Sequence, residues 1–155
     1  MTFLIPPTGG PGKGLHFGQT GSVTLTNSTG GAVSLGEIVA VDPGDTANTA
    51  TPGNDSRYAI AITPDAQVGL FYGVVTKAGA NNADIQVTFT GRFQNVAITG
   101  TPAAGSRLAS TGSDKTLQAV QADDLCIAYS ETAGVGGLVD VVFDGINGFG
   151  QGGGS

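Results

Sequence analysis

Short runs in which every second residue is apolar dominate the chain. Val23 and Leu25 alternate with Ser22, Thr24 and Thr26, the pattern of a half-buried strand over 21–27. The same reading predicts strands over 35–41, over 57–63 with Tyr58, Ile60 and Ile62 on one face, over 71–76, and over 84–90 with Ile85, Val87 and Phe89 inward. Further strands are predicted over 93–99, 107–109 and 116–120, and a final hairpin from 125–130 and 138–143. Turn chemistry separates them at Asn27-Ser28-Thr29-Gly30-Gly31, Asp42-Pro43-Gly44-Asp45, 77–82 and Gly100-Thr101-Pro102, where Gly, Pro, Asn and Asp favour bends. No segment carries a helical period, and Asp123-Asp124 could open one helical turn at most. Many short strands at close spacing specify an all-β fold, a small β-barrel or β-sandwich. The run 85–91 also matches 139–145, each after a turn centred on Ala-Gly, at Ala78-Gly79 and Ala133-Gly134. That points to one β-hairpin module used twice.

Three regions follow: an extended N-terminal arm over 1–20, a β-domain over 21–146 and a Gly-rich tail over 147–155 with one aromatic, Phe149. Pro6, Pro7 and Pro11 interleaved with glycines forbid a stable helix in the arm and discourage a central strand. Phe3-Leu4-Ile5 and Leu15-His16-Phe17 flank that stretch. A purely solvated tail has little use for apolar clusters, so Phe3, Leu4, Ile5, Leu15 and Phe17 are the expected contact residues. The polar loop 46–56 is long enough to carry function.

Composition narrows the classes. Gly supplies 27 of 155 residues, which adds no packing area and costs backbone entropy on ordering. Charged residues make up only 12%, about half the usual share, so another protein can cover this surface at low desolvation cost. The net charge is −6 and the 6 cations stand apart. Binding to nucleic acid or to an anionic membrane, which needs clustered Lys and Arg, is not expected. Cys126 is the lone cysteine and sits in an apolar run, where a buried, inert thiol is expected. The N-terminus lacks a positive region and a long apolar run, so no secretion signal is read there. The Asn27-Ser28-Thr29 and Asn54-Asp55-Ser56 matches to the glycosylation pattern are then read as turns.

Catalytic chemistry finds no foothold. The single His, His16, lies in the arm, and no Gly-x-Ser-x-Gly elbow is present. One His and one Cys do not make a zinc site. The carboxylate pairs Asp42/Asp45, Asp123/Asp124 and Asp140/Asp144 lack the spacing of a calcium loop and read as turn caps. Gly9-Gly10-Pro11-Gly12-Lys13-Gly14 fails as a phosphate loop, because Gly14 stands where Ser or Thr is needed. The expectation is a protein that is not an enzyme, with no cofactor and no metal.

The stretch from Val96-Ala97-Ile98 through Thr101-Pro102-Ala103-Ala104-Gly105-Ser106-Arg107-Leu108, Ile127-Ala128-Tyr129-Ser130 and Glu131-Thr132-Ala133-Gly134 to Gly137-Leu138-Val139-Asp140-Val141-Val142-Phe143 resembles the capsid decoration (cement, or head-stabilising) proteins of tailed bacteriophages. Ser34-Leu35-Gly36-Glu37-Ile38-Val39-Ala40-Val41 resembles another such unit. The resemblance implies a small β-barrel or β-sandwich, a homotrimer at local threefold positions of an expanded shell, and an N-terminal arm that pairs with strands of the major capsid protein. It implies a virion protein made in the host cytoplasm and displayed on the outer capsid surface, where it bridges capsid subunits. The alternative is a β-rich fibre or adhesin module whose Thr-, Ser- and Asn-rich surface binds a host glycan.

Overall fold

The computed structural model describes residues 22–42, 60–64 and 71–150. Their strands are β1 (Val23–Asn27), β2 (Ile38–Asp42), β3 (Ile60–Ile62), β4 (Phe71–Lys77), β5 (Asp84–Thr88), β6 (Thr90–Ala97), β7 (Arg107–Ser110), β8 (Leu117–Ala119), β9 (Ala128–Ser130) and β10 (Leu138–Asp144). The fold is all-β, as the alternation requires, and no helix occurs among the described residues. Arm residues Phe3, Leu4, Ile5, Leu15 and Phe17, the loop 46–56, and Tyr58 lie outside the described residues.

The first five strands close into a barrel in the order β1-β3-β2-β4-β5. β1 and β3 are parallel and the other neighbours antiparallel. So narrow a barrel has room inside only for side chains, and Leu25, Val39, Val41, Val75, Ile85 and Val87 fill it. Gly73 is required in β4, because a methyl group there would run into the Val87 side chain.

The other five strands form an antiparallel sheet ordered β6-β10-β9-β7-β8. This sheet curls until its edges meet: Ile98, just past β6, bridges Leu117 of β8, and Thr99 N donates to Leu117 O at 2.7 Å. Joined edges leave fewer unpaired backbone groups to recruit stray strands. Its inner face carries Phe93, Val96, Leu108, Leu117, Ile127, Val141 and Phe143, with Phe93 and Phe143 edge to face at 6.0 Å.

Ile38 and Val74 point outward from the barrel wall into that second cluster. β2 is thus buried on both faces, Val39 and Val41 facing one core and Ile38 the other. Backbone hydrogen bonds fasten the two sheets: Ile38 N to Lys115 O, Ala97 N to Gly36 O, Tyr72 N to Gly145 O and Gly145 N to Phe89 O, each 2.9 Å. Gly36 and Gly145 make these joints possible, since a side chain at either would collide with a backbone carbonyl, of Asn95 and Tyr72 respectively.

Several predicted boundaries move. Leu35 was expected to open the second strand, but it sits in a turn with Gly36 at φ 83° and is 64% exposed, so β2 starts at Ile38. The run 84–90 breaks at Phe89, where the chain leaves the barrel for the second sheet. Lys77, expected in a turn, extends β4. Of 125–130 only Ala128–Ser130 is strand. Cys126 instead binds the chain end, with Phe149 N donating to Cys126 O and Cys126 N to Gly150 O, while Phe149 packs on Tyr129 at 5.1 Å. Residues 147–150 therefore lie against the domain. Asp123-Asp124 form a turn with Asp123 at φ 69°, not a helix start. The two matching runs fall one in each sheet, each as the second strand of a hairpin, β4–β5 and β9–β10.

Strand directions fix the ends of the molecule. β1, β3 and β4 run one way, and β2 and β5 the other. The starts of β1, β3 and β4 and the ends of β2 and β5 therefore share one mouth of the barrel. Val23 at the start of β1, Asp42 at the end of β2 and Ile60 at the start of β3 therefore sit at that mouth, here called the arm end because β1 follows 1–21 in the sequence. The end of β10 lies there too, through the Gly145 contacts with Tyr72 and Phe89. The start of β10 lies about 20 Å away, at roughly 3.3 Å per residue.

Candidate interaction surfaces

Among the described residues, the exposed large apolar side chains sort onto these two ends. Val23, Leu125, Ile146 and Phe149 lie at the arm end. Leu35, Val135 and Leu138 lie at the far end, where Leu138 is opposite Ala97, whose N–H bonds the carbonyl of Gly36. Scattered exposed apolar residues are ordinary, whereas grouped ones mark contact surfaces.

At the far end, Val135 and Leu138 flank a two-residue turn and exchange both backbone hydrogen bonds, at 2.9 and 3.1 Å. Gly136 and Gly137 have φ of 62° and 79°, the paired positive values of a type I′ hairpin turn. Gly134 N donates to Pro102 O at 2.8 Å, and Ile98 N to Gly137 O at 2.9 Å, so this hairpin is bound to the 98–106 loop. Neither 98–106 nor 132–138 contains a charged residue.

Between the ends, on the outer face of the second sheet, a polar groove of about 720 Å³ is lined by Arg92, Gln94, Glu131, Thr132 and Asp140. A β-bulge builds it. Phe93 and Val96 of β6 face Val141 and Val139 of β10, three steps against two, and Asn95 takes the strain at φ 58°. The Asp140 carboxylate accepts from Asn95 N at 3.0 Å, and Asp140 N donates to Thr132 Oγ1 at 3.1 Å. Arg92 pairs with Glu131 at 2.8 Å, largely in solvent, which adds little stability.

The carboxylate pairs of the sequence do not form joint sites among the described residues. Asp124 accepts from Gln121 N at 2.8 Å, and Asp144 from Ile146 N and Asn147 N at 3.1 and 3.0 Å, so both cap turns. Asp140 and Asp144 are four residues apart on a strand, about 13 Å. Asp45 and His16 lie outside the described residues. Among the described residues no group of three His, Cys, Asp or Glu is placed to hold a metal ion. Cys126 is buried, its thiol on Ala128 O at 3.3 Å.

Asn27, the first residue of a glycosylation-like triplet, is fully buried. Its Nδ2 donates to the carbonyls of Gly31, Gly79 and Ala80, and its Oδ1 accepts from the N–H and hydroxyl of Thr29. The amide is a structural tie.

Sequence reasoning missed both the groove and the apolar far end. The groove had a readable signal: apolar Phe93 and Val96 stand three apart, a spacing that strand alternation forbids without a bulge. The far end had one too, in the Gly136-Gly137 pair between Val135 and Leu138. No family model matches this chain, and no curated protein matches it.

Proposed function

We propose that this protein is a capsid decoration protein that binds the outside of a tailed-phage shell and bridges its subunits. The observation that carries this reading is the sorting of exposed apolar groups onto two opposite ends of a body with joined sheet edges. Such a body can hold two protein surfaces at a fixed separation. The segment 1–20, in which Phe3, Leu4, Ile5, Leu15 and Phe17 are the proposed contact residues, precedes β1 in the sequence, and β1 starts at one of these ends. A segment of that composition, rich in Pro and Gly between two apolar clusters, suits strand addition to an exposed sheet edge of the major capsid protein. Many copies on one shell would turn modest contacts into firm retention.

Mixing the purified protein with expanded empty shells of its cognate phage tests this. The expected result is saturable co-sedimentation that is lost when residues 1–20 are deleted, with the circular dichroism of the β-domain retained. Full binding by the truncated protein would remove the arm from the mechanism, and no binding by the intact chain would overturn the reading.

The polar groove favours a second reading, an adhesin module. Its carboxylates, amide, guanidinium and hydroxyl offer the donors and acceptors a sugar needs. That reading expects binding to a glycan array that Glu131→Ala and Gln94→Ala weaken.

A further inference from the structure

Between the turn that follows β7 and the turn that precedes β9, a cleft of about 340 Å³ opens beside Tyr72 of the barrel. That is the low end of ordinary ligand pockets, with room for one long side chain or a small ligand. Its walls are fixed before anything enters. Ile127 N donates to Leu108 O and Tyr72 N to Gly145 O, each at 2.9 Å, and Asp124 caps its own turn by accepting from Gln121 N at 2.8 Å. A site fixed in advance loses less entropy on binding. Two properties of the lining select the occupant.

The first is apolar surface beside charge of one sign. Tyr72, Ala109, Leu125 and Ile127 supply the apolar contact, and Leu125 is still 43% exposed. Two carboxylates, Asp123 and Asp124, reach the cleft, and no Lys or Arg lines it. Asp124 is committed to its cap. Asp123 makes no hydrogen bond or ion pair with a described residue, so it is the open anion of the cleft.

The second is the balance of hydrogen-bonding groups. The Thr111 hydroxyl is spent on Asp114, donating to its carbonyl at 3.1 Å and accepting from its N–H at 3.0 Å. Gly112 N donates to Ser110 Oγ at 3.2 Å. The Asp123 oxygens that stay open only accept. An ammonium or guanidinium group only donates, and an aliphatic stem behind it covers apolar lining while the charged head stays at the rim.

We propose that this cleft binds a cationic group carried on an aliphatic stem, with Asp123 holding the head and Leu125 and Ile127 meeting the stem. A lysine or arginine side chain of a partner protein and a free polyamine share that chemistry. The proposal does not rest on the capsid reading.

Titration of the isotope-labelled full chain with n-butylguanidinium, n-butylammonium and butyrate, followed by amide chemical shifts, tests it. Both cations are expected to shift the amides of 110–112 and 123–127 saturably in the millimolar range, and butyrate to leave them in place. Asp123 has φ of 69°, a conformation that Asn also adopts, so Asp123→Asn keeps the turn. This variant is expected to bind the cations about fivefold more weakly. Asp84→Asn removes the same charge at the exposed start of β5 and is expected to bind as wild type does. No saturable shift with either cation, or equal affinity in Asp123→Asn and wild type, overturns the proposal. Two further measurements identify the source. Spermidine that saturates the cleft at lower concentration than n-butylammonium, with Asp123→Asn binding shells as wild type does, assigns a free polyamine. Weaker shell binding by Asp123→Asn than by Asp84→Asn assigns a basic side chain of the shell. Failure of the wild type to bind shells counts against the capsid reading alone, because the cleft is read by the small cations.

Discussion

The side-chain amide of Asn27 ties the 28–31 turn to the β4–β5 turn, and nothing but an amide of this length offers both donors and an acceptor there. Asn27→Ala would strip the carbonyls of Gly31, Gly79 and Ala80 of a donor in a part-buried setting. The expected loss is about 3 kcal/mol of folding stability, read as a shift in urea midpoint. An unchanged midpoint would show that water replaces the amide. Glycines allow a sharper comparison. Gly36 and Gly100 both have positive φ, 83° and 85°, yet a methyl group at Gly36 meets the Asn95 carbonyl and one at Gly100 meets nothing. Gly100→Ala carries only left-handed strain, about 1 kcal/mol, while Gly36→Ala adds a steric clash at the joint between sheets and should cost about 3 kcal/mol or more. Equal losses would mean the two sheets shift apart at no cost.

At the scale of elements, the bulge in β6 depends on Asp140. Asp140→Ala removes the acceptor for Asn95 N and should cost about 1.5 kcal/mol, with faster hydrogen exchange at the Asn95 amide. Asp140→Asn keeps an acceptor oxygen and should lose less. If exchange at Asn95 is the same in all three proteins, the bulge is held by strand pairing alone. These elements also show what the sequence makes legible. Alternation located β1, β5 and β10 within a few residues, because each presents one face to a core and period two survives intact, whereas β4 was found by its continuous apolar run, with Val74 and Val75 serving different cores. It failed where the chain changes sheets at Phe89 and where Gly36 turns the chain before β2, since a turn flanked by apolar residues imitates the start of a strand. The parallel β1–β3 pairing and the joining of the second sheet through Ile98 and Leu117 are long-range choices with no local signature. As for sites, the arm residues singled out in the sequence lie outside the described residues. The apolar far end was hidden by its small residues, which read as an ordinary turn until the fold brought the 98–106 loop beside it.

For the molecule as a whole, the proposed bridging would require that force applied at the arm end reach the far end without the body coming apart between them. Shared strands at the joint provide for that. Ile38 and Val39 are neighbours on β2 yet serve different cores, and so do Val74 and Val75 on β4. Neither core can lose these strands without exposing the other. Ile85→Ala, deep in the barrel and fully buried, should cost about 3 kcal/mol. If the cores are one cooperative unit, native-state hydrogen exchange will show that loss equally at β5 amides in the barrel and at β10 amides in the second sheet, and denaturation will remain a single transition. Loss of protection confined to β5 would mean two independent bodies joined by a hinge. A hinged pair would transmit little tension, and the proposed bridging would then have to rest on the barrel and arm alone.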